Sequence, residues 1–297
     1  MTYDYRGKVV LVTGGAGGIA RAFLGPVASR GATCAVVDIR TEAAERTAAG
    51  LPGAGHAGYG CDLTDQAQVE ALLARVGAEH GRIDVLVNNV GMTSADRFDE
   101  RSVESIRTEL EVNLLSPLVL TRLAVPLLRA APDPRVVTTV SLGGIFPLGE
   151  TPIYTASKFG LRGAMLAIGL DLRAKGITAG SVLPSATDTR MLRREAVEGG
   201  NSLQFQDPPQ PPEVVARTMM RMLDRPALER YARPSEAVLV KTAMLVPNAL
   251  PRLMRLFRRR GERGMAAYLA QLERAGIAHR RDGRWALVDD ERALPRP

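Results

Sequence analysis

Lys8-Val9-Val10-Leu11-Val12-Thr13-Gly14-Gly15-Ala16-Gly17-Gly18-Ile19-Ala20 decides how the rest of the chain is read. Its first half is a short, apolar, β-branched run of the kind that forms a buried strand. Its second half is glycine-rich and opens a helical stretch that continues to about Arg30. A strand, a glycine turn and a helix start together make an anion cradle. The glycines let the backbone approach a pyrophosphate, and the free N–H groups of the helix start bind it. Gly14, Gly18 and Ile19 are the expected contacts. A second strand, Thr33–Val37, ends at Asp38, roughly twenty residues after the glycines, where a ribose-binding acid belongs.

Outward from this unit, strands and helices alternate, which is the pattern of a parallel sheet covered on both faces. The reading places a weaker third strand at residues 57–61 and a helix over Gln66–His80. Strands follow at Ile83–Val87, Arg135–Val140 and Ile177–Leu183, with one long helix over Arg101–Arg129. The expected fold is α/β: a Rossmann-type, doubly wound parallel sheet in a single domain, residues 1–240. Residues 241–297 form a helical, basic C-terminal extension. Ligands bind outside the carboxyl ends of such strands, so one crevice is expected to gather Asp38, Asn88, Ser141 and Pro184.

Tyr154 and Lys158 stand four residues apart, and Ser141 lies thirteen residues before the tyrosine. On a helix, positions i and i+4 share a face. An ammonium beside a phenol favours the phenolate, so Tyr154 is expected to work as an acid/base below its ordinary pKa of roughly 10. Thr151 is the expected N-cap and Pro152 the first helical residue, which sets Tyr154 in the first turn near the positive end of the helix dipole. Singly, each of these residues reads as an ordinary structural side chain. Their combination with a dinucleotide cradle carries the chemistry.

These motifs, in this order, resemble the short-chain dehydrogenase/reductase family in its short, single-domain branch, over about residues 5–240. Thr13, Gly14 and Gly18 match the family's cofactor motif, whose last glycine is Ala20 here. Asp62, followed by Leu63, matches the acid that holds the adenine ring. Asn88-Asn89-Val90-Gly91 matches Asn-Asn-Ala-Gly, and Asn113, Ser141, Tyr154 and Lys158 match the four catalytic positions. Pro184-Ser185-Ala186-Thr187-Asp188-Thr189 matches the nicotinamide-side motif, with Ser185 where glycine is usual. The resemblance implies a nicotinamide-dependent oxidoreductase acting on an alcohol or ketone. In it Tyr154 is the general acid/base, Lys158 tunes it and holds the ribose, Ser141 orients the substrate oxygen, and Asn113 anchors a proton-relay water. Pro117 has no N–H to offer the Asn113 carbonyl, so the helix is expected to kink there. It also implies a homodimer or homotetramer, assembled through Arg101–Arg129 and Pro152–Ala174.

Asp38 selects the cofactor. A carboxylate accepts bonds from ribose hydroxyls and repels a 2′-phosphate, so NAD is expected over NADP, with Arg40 the nearby cation that blurs the preference. Cys34 and Cys61 read as small buried hydrophobes of a reducing compartment, and His56, His80 and His279 show no metal-ligand spacing. The N-terminus lacks the apolar core of a signal peptide, and no transmembrane helix is expected, which together point to the cytoplasm.

The substrate end is less legible. Residues 187–212 read as a lid ending in a proline-rich hinge. Apolar residues there and after Ser141 suit a hydrophobic secondary alcohol or ketone, while Arg190, Arg193 and Arg194 leave an acidic or acyl-carrier substrate open. Leu250, Leu253, Met254 and Phe257 form an apolar helical stripe among arginines that supply much of the formal net charge of +7. The preferred reading is a helix with one face on the domain, ahead of a membrane-surface helix over 250–260. Nucleic-acid binding is disfavoured, because no groove-reading or aromatic motif accompanies the charge. A further helix is expected over Met265–Ala275, and residues 276–297, with Trp285, as a cover for the substrate mouth or a neighbouring subunit. Two other functions compete. One is a non-catalytic NAD-binding sensor or scaffold. The other is a sugar-nucleotide epimerase or dehydratase, whose relatives carry a shorter glycine spacing and a larger C-terminal domain.

Overall fold

The computed structural model describes residues 2–281 and 283–288, with the side chains of Leu253 and Leu256 outside that description. Seven parallel strands form its sheet: β1 (Val9–Thr13), β2 (Thr33–Asp38), β3 (Ala57–Gly60), β4 (Val85–Asn88), β5 (Arg135–Thr139), β6 (Thr178–Leu183) and β7 (Glu229–Tyr231). Their order is β3-β2-β1-β4-β5-β6-β7, so the chain reverses direction across the sheet between β1 and β4. This is the doubly wound arrangement read from the sequence. The seventh strand was not foreseen, since three half-buried residues carry no strand signal of their own.

Strand alternation divides the core. Val10, Val12, Val36, Val85 and Val87 face one layer, which α1 (Gly18–Ala28), α2 (Thr41–Ala49) and α8 (Pro212–Asp224) cover. Leu11, Ala35, Val37 and Leu86 face the other, under α3 (Gln66–His80), α5 (Ser116–Arg129) and α6 (Pro152–Arg173). Period-2 alternation with both faces buried explains why these strands read as continuous apolar runs. At the amino end of the sheet, the buried Asp84 carboxylate accepts from Val9 N (2.9 Å), Arg82 Nε (2.8 Å) and Lys8 Nζ (3.2 Å). Burial alone would raise this carboxyl, yet the three donors hold it below its ordinary value.

The single long helix expected over Arg101–Arg129 is divided. α4 (Val103–Leu110) passes into a π turn over Glu111–Leu115, where Ser116 N donates to Glu111 O, and α5 follows. Pro117 lacks an N–H and is the second residue after the turn, so the regular ladder gives way at the turn that carries Asn113. By length and composition Val103–Arg129 is apolar enough to cross a membrane, contrary to the reading that no such segment exists. Leu120, Ala124 and Leu128 on it are fully buried in the core beneath the sheet, so here it is a packed layer of the fold.

The extension differs more. α9 (Pro234–Ala243) is followed by one helix, α10 (Leu250–Arg274), in place of two shorter ones, and by a hairpin of β8 (Ala278–Arg281) and β9 (Arg284–Leu287) that contains Trp285. Residues 289–297, part of the expected cover, lie outside the described residues. Tyr268, Leu269 and Leu272 of α10 pack with Leu287 of the hairpin, Phe205, and Leu192 of α7 (Arg190–Val197), which forms a third small core. Tyr268 OH donates to Asp188 Oδ1 (2.6 Å), and Arg193 Nε reaches the same oxygen (2.7 Å). The segment read from the sequence as a lid is thus packed against the extension. Two glycines permit the contact: a Cβ on Gly264 would stand 1.9 Å from Phe205 O, and one on Gly261 2.4 Å from Ser202 O.

Gly264→Val is therefore expected to push α10 off the lid at a cost of about 1–3 kcal/mol. A lowered thermal midpoint, with new proteolytic cleavage near the lid and unchanged far-UV signal from the sheet domain, is the expected result. An unchanged midpoint would show that this contact is not tight in solution.

Candidate active site

The carboxyl ends of β1, β2, β4, β5 and β6 open into one cavity of about 480 Å³. Its floor is the turn after β1. Gly14 adopts φ +58°, and a Cβ on Gly15 would stand 2.4 Å from Val36 Cγ1, so only glycine lets this turn lie so close to β2. Gly14, Gly18 and Ile19 line the cavity, with the start of α1 aimed into it. Asp38 lies at its end, buried, with its carboxylate accepting from Ala16 N and Arg40 N, both at 3.2 Å. Arg40 Nε stands 3.6 Å from the same carboxylate, on a largely exposed side chain. Asp62, Leu63, Gly91, Pro184, Thr187 and Thr189 also line the cavity, as do Ser141, Tyr154 and Lys158.

Two residues read from the sequence do not line it. Asn88 turns into the protein, where Nδ2 donates to Thr121 Oγ1 (2.8 Å) and Thr138 Oγ1 (3.2 Å) and braces β4 against α5 and β5. Its neighbour Asn89 lines the cavity instead. Consecutive residues at a strand end point to opposite sides, so only one of the pair can face the crevice. Asn113 is fully buried behind the cavity wall. Its Oδ1 accepts from Met92 N (2.8 Å), and Nδ2 donates to Met92 O (2.8 Å) and Ser157 Oγ (3.2 Å). The side chain clamps the loop after β4 onto α6.

α6 begins as read, with Thr151 preceding Pro152, but the Thr151 hydroxyl makes no capping bond and is buried without a partner. The helix start packs tightly on the turn after β5. A Cβ on Gly144 would lie 2.7 Å from Lys158 O, so this turn can approach α6 only as glycine. That approach brings Ser141 to Tyr154. Ser141 Oγ accepts from Gly143 N (2.9 Å), which fixes its rotamer. Lys158 Nζ lies 5.6 Å from the Tyr154 ring centroid and 3.5 Å from Thr139 O.

The electrostatics differ from the expectation that Lys158 would lower the tyrosine. Burial pushes the Tyr154 hydroxyl up to about 12, and a hydrogen bond with Ser141 offsets only part of this. Burial likewise pulls the Lys158 ammonium down to about 8, against the opposing pull of Glu109. Desolvation is the largest influence on both groups, so the protein alone favours phenol over phenolate.

Two acidic residues absent from the sequence reading stand close by. Glu109, fully buried one turn before Asn113, pairs with the buried Arg101. Desolvation pushes the Glu109 carboxyl up, while Arg101 and Lys158 pull it down. Glu195, on α7, lines the cavity and accepts from Gln204 Nε2 (2.6 Å) and Asn201 N (3.2 Å). Burial pushes its carboxyl up to about 7. Neither carried a local motif. A charged residue on a short helix reads as solvated until the tertiary fold covers it.

A second cavity of about 550 Å³ joins the first at Ser141, Ser185, Ala186 and Gln204. Its walls are mostly apolar, with Leu142, Phe146 and Leu148 from the sheet domain facing Val240, Met254 and Phe257 from the extension.

A family model described as short chain dehydrogenase matches residues 8–198. The D-threitol dehydrogenase of Mycolicibacterium smegmatis is 33% identical over 193 residues, which is 64% of this chain and 74% of that protein. The 3-oxoacyl-[acyl-carrier-protein] reductase FabG of Escherichia coli is 32% identical over 193 residues, 64% of this chain and 78% of its own. Among solved structures, a short-chain dehydrogenase/reductase from Burkholderia phymatum in complex with NAD aligns with a TM-score of 0.76 at 22% identity, covering 84% of this chain and 97% of that one, which shows the shared fold. The family match spans well over half of the sequence and runs through Ser141, Tyr154 and Lys158, and the chain belongs to the short-chain dehydrogenase family.

Proposed function

We propose that this protein is a nicotinamide-dependent oxidoreductase, with NAD preferred, that interconverts an apolar secondary alcohol and its ketone. The observation that carries this reading is the position of Ser141 and Tyr154. Ser141 lines both cavities at their junction, one side built around the glycine turn and Asp38, the other apolar. A hydroxyl-bearing carbon held there meets a proton-transfer group and a cofactor site together.

The cavity suits the cofactor on its own features. Glycine backbone and the start of α1 would hold a pyrophosphate, and Asp38 would accept from the ribose hydroxyls. A bound nicotinamide supplies the site that takes up or releases hydride. The rest is done by side chains. In reduction, the Tyr154 phenol donates its proton to the carbonyl oxygen as that oxygen gains charge, and in oxidation the phenolate accepts the proton of the alcohol. Ser141, oriented by Gly143 N, donates to the substrate oxygen and steadies it in both directions. Lys158 reaches the cavity from the same helix face and would hold the nearer ribose. Asn113 acts indirectly, by fixing the loop at Gly91–Met92 that forms the wall beside Lys158. Exposed Leu115, at the end of the π turn, and Leu170, on α6, support self-association through the segments that the resemblance implies.

The substrate class rests on the apolar cavity, whose outer wall is α9 and α10. Both lie beyond the residues that match the family, so the polyol and acyl-carrier chemistries named for its relatives do not carry over. The cavity instead suits a bulky or long apolar group attached to the reacting carbon.

Three outcomes test this reading. Tyr154→Phe is expected to lower turnover of apolar secondary alcohols by about 10²–10⁴-fold while NADH binding, followed by fluorescence, is retained. Retained NADH binding without turnover in the unmodified protein, across a broad alcohol and ketone panel, would favour the sensor reading. Asp38→Ala should narrow the ratio of NAD to NADP use by about tenfold or more, since it removes the charge that repels a 2′-phosphate. Equal use of both cofactors by the unmodified protein would overturn that role. Because the Tyr154 pKa is raised, its base form grows with pH across the neutral range. Alcohol oxidation should therefore rise at least about tenfold from pH 7 to 9, while ketone reduction, which uses the phenol, changes little. A flat oxidation profile would count against Tyr154 as the base.

A further inference from the structure

The outer end of the apolar cavity is unlike the rest of the surface. Among the described residues, twelve large hydrophobic side chains are exposed, and five of them fall between Val238 and Phe257. Leu239 (61% exposed), Val246 (60%) and Phe257 line the cavity and face solvent at once, so they form its rim. Val238 (66%) and Leu245 (79%) extend the same apolar surface outward without lining the cavity. A connected apolar patch at a pocket mouth marks a surface that meets another apolar phase.

Charge identifies that phase. Residues 237–261 contain six cations, Lys241 and Arg252, Arg255, Arg258, Arg259 and Arg260, and no Asp or Glu. Three of the six are engaged elsewhere: Lys241 with Glu229, Arg258 with Glu262 and Arg260 with Asp207. Arg252, Arg255 and Arg259 are exposed on the first half of α10, and among the described residues no carboxylate pairs with them. Exposed apolar side chains together with unpaired arginines are the composition of a surface that lies in the interface of an anionic bilayer. A second copy of the chain would bring the same arginines against themselves, which works against self-pairing at this face.

We propose that the α9–α10 rim docks on an anionic lipid surface, and that the apolar cavity receives its substrate from that surface. The second half rests on the oxidoreductase reading above; the first does not. The order of preference from sequence is thereby reversed. Sequence favoured a helix with one face on the domain, and α10 does pack its second half on the lid, but its first half forms the rim of a cavity.

The test is co-sedimentation of the full chain with vesicles of phosphatidylcholine alone and of phosphatidylcholine with phosphatidylglycerol. Binding to the anionic vesicles at least tenfold stronger than to neutral ones, and weakened by raised salt, is expected. Two variants probe the two components separately: Val238→Asp with Leu245→Asp, and Arg252→Glu with Arg255→Glu and Arg259→Glu. Each should lower vesicle binding at least tenfold. Turnover of a small soluble alcohol without vesicles should stay unchanged, since none of these five residues lines either cavity. Absence of binding to anionic vesicles by the unmodified protein would overturn the proposal. So would binding that survives both variants, or a change of oligomeric state in the variants, which would assign the rim to a second copy. Binding without turnover would leave the docking surface standing and count against the oxidoreductase reading alone.

Discussion

The parallel ladder between β1 and β4 is the constraint on which the rest of the molecule depends. Val10, Leu11 and Val12 pair with Val85, Leu86 and Val87, and the connections leaving these two strands travel to opposite sides of the sheet. Right-handed crossovers then place helices away from this seam, and a crevice opens at its carboxyl end. Thr13 closes the seam from below. Its hydroxyl donates to Val87 O (3.3 Å) and accepts from Asn89 N (3.0 Å), so the glycine turn and the loop after β4 leave the sheet in fixed relation. The cofactor cavity is the consequence of that geometry more than of any single residue in it.

Around the crevice the protein uses close backbone approach as its main positioning device. Val36 presses on Gly15 and Lys158 O on Gly144, and Phe205 O presses on Gly264. Each joins two elements that a methyl group would hold apart. Together they set the floor of the cofactor site, the meeting of Ser141 with Tyr154, and the seat of the extension on the lid. The lid's own ends are tied as well, because Gln210 N donates to Ala186 O and Asp188 N to Gln210 O. What emerges is a lid braced at its base by the sheet domain and along its length by α10. The outer wall of the apolar cavity is formed by α9 and α10.

Burial explains the electrostatic character of the site. Tyr154, Lys158, Glu109 and Glu195 are all drawn toward their neutral forms by desolvation. Arg101 offsets part of this for Glu109, and Ser141 part of it for Tyr154. A site of this kind keeps Tyr154 a neutral phenol at neutral pH. It also makes the tyrosine sensitive to any charge brought into the cavity, because the low-dielectric surroundings strengthen each such interaction.

Much of this was legible in the residues. The β-branched runs and the glycine turn determined the doubly wound sheet, because buried parallel strands and an anion cradle each need specific residue types at specific spacing. The Tyr154–Lys158 pair and Ser141 were legible for the same reason: helix periodicity and strand ends are local properties. What tertiary structure alone decided was the burial and partnership of groups distant in sequence. Asn88 faces inward and Asn89 outward, a choice set by pleat parity at the end of β4. Burial raises Tyr154, which the four-residue spacing could not show, since spacing carries no dielectric. Glu195 lines the cavity with Tyr154 only because α7 is folded against it. Met254 and Phe257 reach the rim of a cavity only because Gly261 and Gly264 seat α10 against residues some sixty positions earlier. Local pattern fixes which elements form; long-range packing fixes which side chains lose their water, and the chemistry follows from that loss.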